Sequence, residues 1–217
     1  ALPSNVYGHG AAIYNDRIYV LGGSSSVGGA PSTDVRYNKI NADGTLNNWV
    51  QTTSLPQGRF TGGGTMAAVW GAYIYVSSGC SAVNGSGYCT GVHSNIQLAS
   101  INADGSLDSW NTVGTAVDER LGGNLIAWRG HLYRVGGCSS QDATTGDCGA
   151  STLDLIRVGD INRDGDASTV GESSPSGSGT CSVAPSIAVT GASTWWIQTY
   201  NAIGYGPWSL GKAFTAP

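Results

Sequence analysis

Charge is what this chain has least of. Ten Lys and Arg and 14 Asp and Glu make 24 charged residues among 217, or 11%, against about 25% in soluble globular domains. The basic residues form no run, so neither a nucleic-acid groove nor a patch for an anionic membrane has an electrostatic basis. Met occurs once, and with Lys and Glu also scarce, long helices lack their usual builders. No apolar run is long enough for a membrane-spanning helix. The start, Ala1-Leu2-Pro3-Ser4, has no Met, no basic stretch and no apolar leader core, and reads as a processed or excised form.

What is abundant is glycine, at 34 positions without a Gly-X-Y period, which excludes a collagen-like helix. Self-comparison explains much of it. Ile40-Asn41-Ala42-Asp43-Gly44-Thr45-Leu46 returns as Ile101-Asn102-Ala103-Asp104-Gly105-Ser106-Leu107 and again as Ile161-Asn162-Arg163-Asp164-Gly165. A second marker precedes each copy: Ile18-Tyr19-Val20-Leu21-Gly22-Gly23, Ile74-Tyr75-Val76-Ser77-Ser78-Gly79 and Leu132-Tyr133-Arg134-Val135-Gly136-Gly137. Two markers in one order, three times, define a tandem unit of about 60 residues.

Each unit reads as short strands joined by turns whose Asn, Asp and Gly tolerate positive φ. The first copy predicts strands at 10–14, 17–21, 34–40 and 49–53. The second predicts 65–70, 73–76, 95–101 and 109–113, and the third 124–128, 131–135 and 153–161, with no fourth strand. A four-stranded antiparallel unit closed by Gly-Gly and repeated in tandem is the pattern of a β-propeller blade. On Gly22-Gly23, Gly136-Gly137, Tyr37, Trp49 and Trp110 the chain resembles the kelch family, with Ser78-Gly79 departing at one residue. The resemblance implies an all-β fold of three tandem kelch-like blades (about 6–57, 58–116 and 117–170), an incomplete ring or a degenerate small propeller. It implies little about function, since the fold hosts adhesins, scaffolds and copper oxidases alike.

Residues 171–182, rich in Gly, Ser and Pro, read as a linker. The β segment 183–217 has strand-like runs at 184–190, 194–200 and 212–215. Its stretch Tyr200-Asn201-Ala202-Ile203-Gly204-Tyr205-Gly206-Pro207-Trp208-Ser209 resembles the corner before the last strand of a fibronectin type III domain. A whole domain of that kind needs about 100 residues, so the segment is either part of a truncated chain or packs on the blades.

Five cysteines occur, and Cys80 and Cys138 hold the same place after the glycine ending a second strand, each followed by another, Cys89 or Cys148. Equivalent placement predicts disulfides Cys80–Cys89 and Cys138–Cys148, with Cys181 left over. Each closes a short ring worth at most about 3 kcal/mol on the chain-entropy model. Such bonds persist outside the reducing cytosol, which points to an extracellular or cell-surface location.

Candidate chemistry is sparse. Asp160, Asn162, Asp164 and Asp166, with Gly165 between the last two, match the opening of a calcium loop, but position 12 is Gly171 rather than a carboxylate. Lys39 and Ser100 stand where Asp160 does, so a plain hairpin turn and a Ca2+ site are both open readings; no other cofactor is implied. His9, His93 and His131 fall at non-equivalent points of the repeat, which leaves the copper set of galactose oxidases without ligands. No catalytic serine constellation or carboxylate pair stands out, and the expectation is a non-enzyme. Tyr14, Trp70 and Trp128 are repeat-equivalent and expected in blade packing, whereas Trp195, Trp196, Tyr205 and Trp208 lie outside the repeats and are candidate binding aromatics. Asn84-Gly85-Ser86 is a glycosylation sequon.

The expected function is a secreted or cell-surface recognition or structural module, adhesin-like or part of an appendage, assembling with copies of itself or with protein partners. The rival is a carbohydrate-binding or carbohydrate-active propeller using aromatics and Ca2+. Neither involves nucleic acid or membrane insertion.

Overall fold

The computed structural model describes residues 1–26, 28–60, 66–115, 119–142, 144–148, 152–153 and 156–161, and the strands 191–195, 198–201, 204–208 and 212–216. All regular structure among these residues is β, in antiparallel sheets. The chain divides into two compact units, Ala1–Glu172 and Ser173–Pro217.

In the first unit, β1 (Gly10–Tyr14), β2 (Arg17–Leu21), β3 (Val35–Lys39) and β4 (Val50–Gln51) form a meander. The second sheet has β5 (Ala67–Trp70) and β6 (Tyr73–Ser77), then an inserted hairpin β7 (Cys80–Val83) and β8 (Cys89–Val92), then β9 (Asn95–Ser100) and β10 (Asn111–Thr115). Its order is β10-β9-β6-β5. The third sheet is β11 (Asn124–Trp128), β12 (His131–Val135) and β13 (Ile156–Asp160). The expected strands are present, several with ends trimmed; β6 runs one residue past the expected 73–76 and β10 lies two residues later than the expected 109–113, and the described part of the third sheet has three strands. The β7–β8 hairpin is an addition to the sequence reading, which took that stretch as a loop.

In the second unit, β14 (Gly191–Trp195) pairs with β17 (Lys212–Ala216), and β15 (Gln198–Asn201) with β16 (Gly204–Trp208). The fibronectin-like corner is thus a hairpin in which Asn201 faces Gly204. The expected run 184–190 lies outside the described residues, as do the linker and Cys181.

The three sheets of the first unit stack because each carries apolar side chains on both faces. Ile74 and Val76 of β6 join Tyr19, Leu21 and Val35 of the first sheet in one core. Tyr75, one step along the same strand, points the other way and packs with Ile96 and Leu98 against Leu125 and Leu132 of the third sheet. Strand periodicity of two makes this division automatic. The equivalent aromatics divide as well: Tyr14 packs on the first core, whereas Trp70 and Trp128 are exposed, contrary to the packing expected of them. Trp128 carries the Arg129 guanidinium 4.3 Å above its ring.

Two local devices fix the repeat. At the corner leaving the second strand, Gly22, Ser78 and Gly136 take φ of 64°, 73° and 60°, and the glycines that follow take 87°, 95° and 93°. The second position is glycine in every copy because a Cβ on Gly137 would lie 2.6 Å from the Leu121 carbonyl oxygen and 2.9 Å from the Gly123 nitrogen, both backbone. The first position is tight in copy one, where a Cβ on Gly22 would lie 2.5 Å from the Arg59 carbonyl oxygen, but open in copy three, where one on Gly136 would meet nothing closer than 3.7 Å; in copy two Ser78 takes it at a conformational cost of about 1 kcal/mol. At the opposite end of the sheets sits the Asn-Ala-Asp-Gly turn. Asp43 Oδ1 accepts from the Thr45 amide and hydroxyl at 3.0 and 2.7 Å, and Asp104 does the same with Ser106 at 2.9 and 2.7 Å. The hydroxyl and then the amide of those partners hold both carboxyls below the ordinary carboxylate value.

Two outcomes are expected. Gly137→Ala meets both backbone clash and the φ penalty and costs about 3 kcal/mol or more, whereas Gly44→Ala, with nothing within 4 Å of the new Cβ, costs only about 1 kcal/mol; urea midpoints compare them. Burial pushes the Tyr19 phenol up to about 12, with Arg17 opposing. Its stabilising contribution is therefore complete below the ordinary value of 10.0 and lost as pH rises from there through about 12. Tyr19→Phe should flatten the alkaline limb of a stability–pH curve; an unchanged limb counts against this assignment.

Candidate functional site

The end of the sheets away from the Asn-Ala-Asp-Gly turns carries the segments between second and third strands. There are three: the loop 24–32, the β7–β8 hairpin and the loop 139–147. Each begins with a bridge to the segment entering its own sheet, Tyr7 to Ser24, Phe60 to Cys80 and Leu121 to Cys138. This equivalence puts cysteine in copies two and three where copy one has Ser24. Both expected disulfides form, Cys80–Cys89 and Cys138–Cys148. Ser24 lacks a cysteine's option and donates its hydroxyl to the Ser26 carbonyl at 2.9 Å.

The three segments touch in a row. A Cβ on Gly87 would fall 2.3 Å from the Gly28 Cα, and one on Gly146 would fall 2.5 Å from the Tyr88 ring. Backbone therefore approaches backbone at the first seam and an aromatic ring at the second. Gln141 locks the second seam, accepting from the Cys89 amide at 2.8 Å and donating to the Gly146 carbonyl. Beneath the row, Phe60, Leu121 and three of the disulfide sulfurs' residues (Cys80, Cys89 and Cys138) form one small core, and Tyr7 meets Phe60 edge-on at 5.1 Å. The result is a rim rich in Ser, Thr, Asn and Gly, tied by two cystines and the Gln141 bridge.

Below that core lie three fully buried arginines that the sequence reading missed. Arg59 donates to the Ser78 carbonyl at 2.6 Å and to Asn95 and Gln97 at 2.5 and 3.0 Å. Arg120 stands 61 residues later and donates to the Gly136 carbonyl at 2.8 Å, which is the equivalent acceptor. Each guanidinium thus clamps the left-handed corner of its own sheet. Their spacing is one residue more than the 60 by which the Asn-x-Asp-Gly marker steps between the same two copies, so the repeat gave only an approximate signal; Val6 stands at the equivalent place in copy one. Arg134 adds a contact from Nη2 to the Ser78 hydroxyl at 2.8 Å. The Arg59 acceptors are neutral, and burial pulls its pKa down to about 10. His93 is depressed as well, first by burial and then by the Arg59 charge, against its bond to the Gly58 carbonyl at 3.0 Å. Arg59 and Arg120 thus donate to main-chain and side-chain amide oxygens, and Arg134 to the Ser78 hydroxyl, so these bonds tie the corner together.

A separate cleft of about 290 Å³ lies between Leu2–Val6 and the first sheet, where Asp34 and Arg36 pair at 2.6 Å. Its polar lining is Ser4, Asn5, Ser24, Ser25 and Ser32 beside that ion pair. Among the remaining sequence candidates, Asp160 ends β13 and its Oδ1 accepts from His131 Nδ1 at 2.6 Å, while Asn162, Asp164 and Asp166 lie outside the described residues. No cluster of three His, Cys, Asp or Glu that would hold a metal occurs among the described residues. Trp195 lies in β14 opposite Lys212, and Tyr205 and Trp208 lie in β16, so these candidate aromatics fall on two different two-stranded sheets; Trp196 lies outside the described residues. No helix of the described residues is long and apolar enough to cross a membrane.

Non-reducing peptide mapping should recover the two cystine pairs. Replacing Cys80 and Cys89 together by serine should speed amide exchange in residues 80–92 while leaving β5 and β6 protected, because the bond closes a loop at the rim. Equal loosening of the sheet would show the bond to be part of the main core instead.

No family model matches the chain, and no curated protein matches it. Among solved structures, one titled "Structure of YjhT" aligns with a TM-score of 0.58 at 16% identity, over 79% of this chain and 47% of that one. The chain therefore spans about half the length of the solved protein it matches, and at that identity the likeness is one of fold alone.

Proposed function

We propose that the chain is a secreted or cell-surface, non-enzymatic recognition and structural module, adhesin-like or part of an extracellular appendage, whose three sheets are kelch-like propeller blades that assemble with copies or partners. The observation that carries this reading is the disulfide-pinned rim. Two bonds and the Gln141 bridge hold loops that are polar, small and nearly uncharged. Rigid loops lose little entropy on binding, and cystines persist where the solvent is oxidising. The stacked sheets supply the blade reading, since their meander order and Gly-closed second strands match what a propeller blade requires.

The rival reading is a lectin or carbohydrate-active protein with a Ca2+ requirement. A glycan array probed with calcium and with chelator separates the two. Silence in both conditions is expected from the favoured reading, whereas strong calcium-dependent sugar binding overturns it in favour of the rival.

A further inference from the structure

The Asn-Ala-Asp-Gly segment occurs in two well-described copies with the same internal bonding and opposite surroundings. In the second copy it is a key seated on the first sheet. Tyr19 donates its hydroxyl to the Gly105 carbonyl at 2.9 Å, and Arg17 donates to the carbonyls of Asp104 and Ala103, both at 3.2 Å. Thr52 Oγ1 accepts from the Leu107 amide at 2.7 Å, and Trp110 Nε1 donates to the Thr53 carbonyl at 3.0 Å. Leu107 is 4% exposed as a result. The first copy, Asn41 to Leu46, differs in sequence only by Thr45 for Ser106. Yet its Leu46 is 49% exposed, and nothing lies within 4 Å of where a Gly44 side chain would begin.

The complementary surface exists at the other end of the stack. The face of the first sheet that receives the key presents Tyr14 and Tyr19, and Val35 beside them. By strand position their equivalents on the third sheet are Trp128, Tyr133 and Ile156. Ile126, Trp128 and Ile156 of that face are 50%, 51% and 60% exposed. The opposite face of the first sheet likewise leaves Ile13 62% exposed, although its equivalent on the second sheet, Val69, packs against the first core. Contiguous apolar faces of this kind mark sites of protein contact.

We infer that the third sheet of one copy receives the Asn41–Leu46 turn and the Ile13 face of a second copy, repeating between molecules the contact that the first and second sheets make within one. The occupant is a second copy because the turn recurs in every repeat and, among the described residues, the second turn fills the seat on the first sheet while the first turn and the equivalent face of the third sheet stay exposed. This is a head-to-tail contact, which repeats into a ring or a filament. It rests on the assembly element of the reading above and specifies its surfaces.

Sedimentation of the purified chain tests it from micromolar to millimolar concentration. The 22.1 kDa chain should sediment at twice its mass or more, either reaching a plateau as a ring or growing as a filament. Leu46→Asp removes the key and Ile126→Asp removes the seat, both at exposed positions, and each alone should be monomeric with an unchanged β circular dichroism spectrum. Mixed in equal amounts they should form a dimer, because one partner keeps a key and the other a seat. A folded wild-type monomer over the whole range, or variants whose mass matches wild type, overturns the inference and means that another surface, whether the C-terminal unit or a different protein, covers the third sheet. Such a result leaves the rim and its recognition role untouched, since the glycan array and the cystine map read those separately.

Discussion

The second sheet can exist only between neighbours. Ile74 and Val76 are buried against the first sheet, and Tyr75, Ile96 and Leu98 against the third. Removing either neighbour returns several such side chains to water at about 1.5–3 kcal/mol each. That requirement shapes the composition: a sheet buried on both faces has few places for charge, and the chain carries 24 charged residues in 217. Sequence distance is short, since each sheet stacks on the next one along the chain, so stability accumulates unit by unit in the manner of repeat proteins.

Stacking alone leaves the corners unsolved. Leaving the second strand, the chain must turn through two left-handed residues, and the carbonyl of the first is drawn into the interior. Buried arginine solves this in copies two and three by donating to that carbonyl from Arg59 and Arg120. A guanidinium is suited to the task because it spreads several donors over a planar fork and stays charged under burial that would neutralise lysine. The depressed Arg59 value, still about 10, shows how much desolvation that choice tolerates.

Strands and turns were legible in the sequence because their signals are local. Asn15-Asp16, the Asn-Ala-Asp-Gly turns and the Gly-Gly corners each encode a backbone conformation within a few residues, and the disulfide pairs followed from equivalent placement in the repeat. The β7–β8 hairpin was not legible, because Cys80–Val83 and Cys89–Val92 are short and Ser- and Gly-containing, and their pairing is held by the cystine and by the neighbouring loop rather than by β-propensity. Arg59 and Arg120 were hidden for a different reason. A lone arginine in a glycine-rich stretch resembles a solvated side chain, and only its acceptors reveal burial. Trp70 and Trp128 show the converse limit: repeat equivalence predicts the position of a ring on a sheet, but whether the ring is covered depends on what stands in front of it.

The two ends of the sheets vary between copies in different ways, and the contacts explain why. At the turn end the spacing of Asn, Asp and Gly is the same in all three copies, and in the seated second copy there is no room for change: a Cβ on Gly105 would fall 2.3 Å from Arg17 and 2.9 Å from the Tyr37 ring. At the rim the copies diverge, with Ser24 against Cys80 and Cys138, and with a loop, a hairpin and a second loop built on them. The rim is constrained only by backbone seams such as Gly28 with Gly87 and by the core of Phe60, Leu121 and the cystines. Side chains facing outward from it are free to change without disturbing the stack. Variation between the copies is therefore concentrated in the loops above the rim core, while the turn end keeps one pattern, as connecting loops generally vary more than the elements they join.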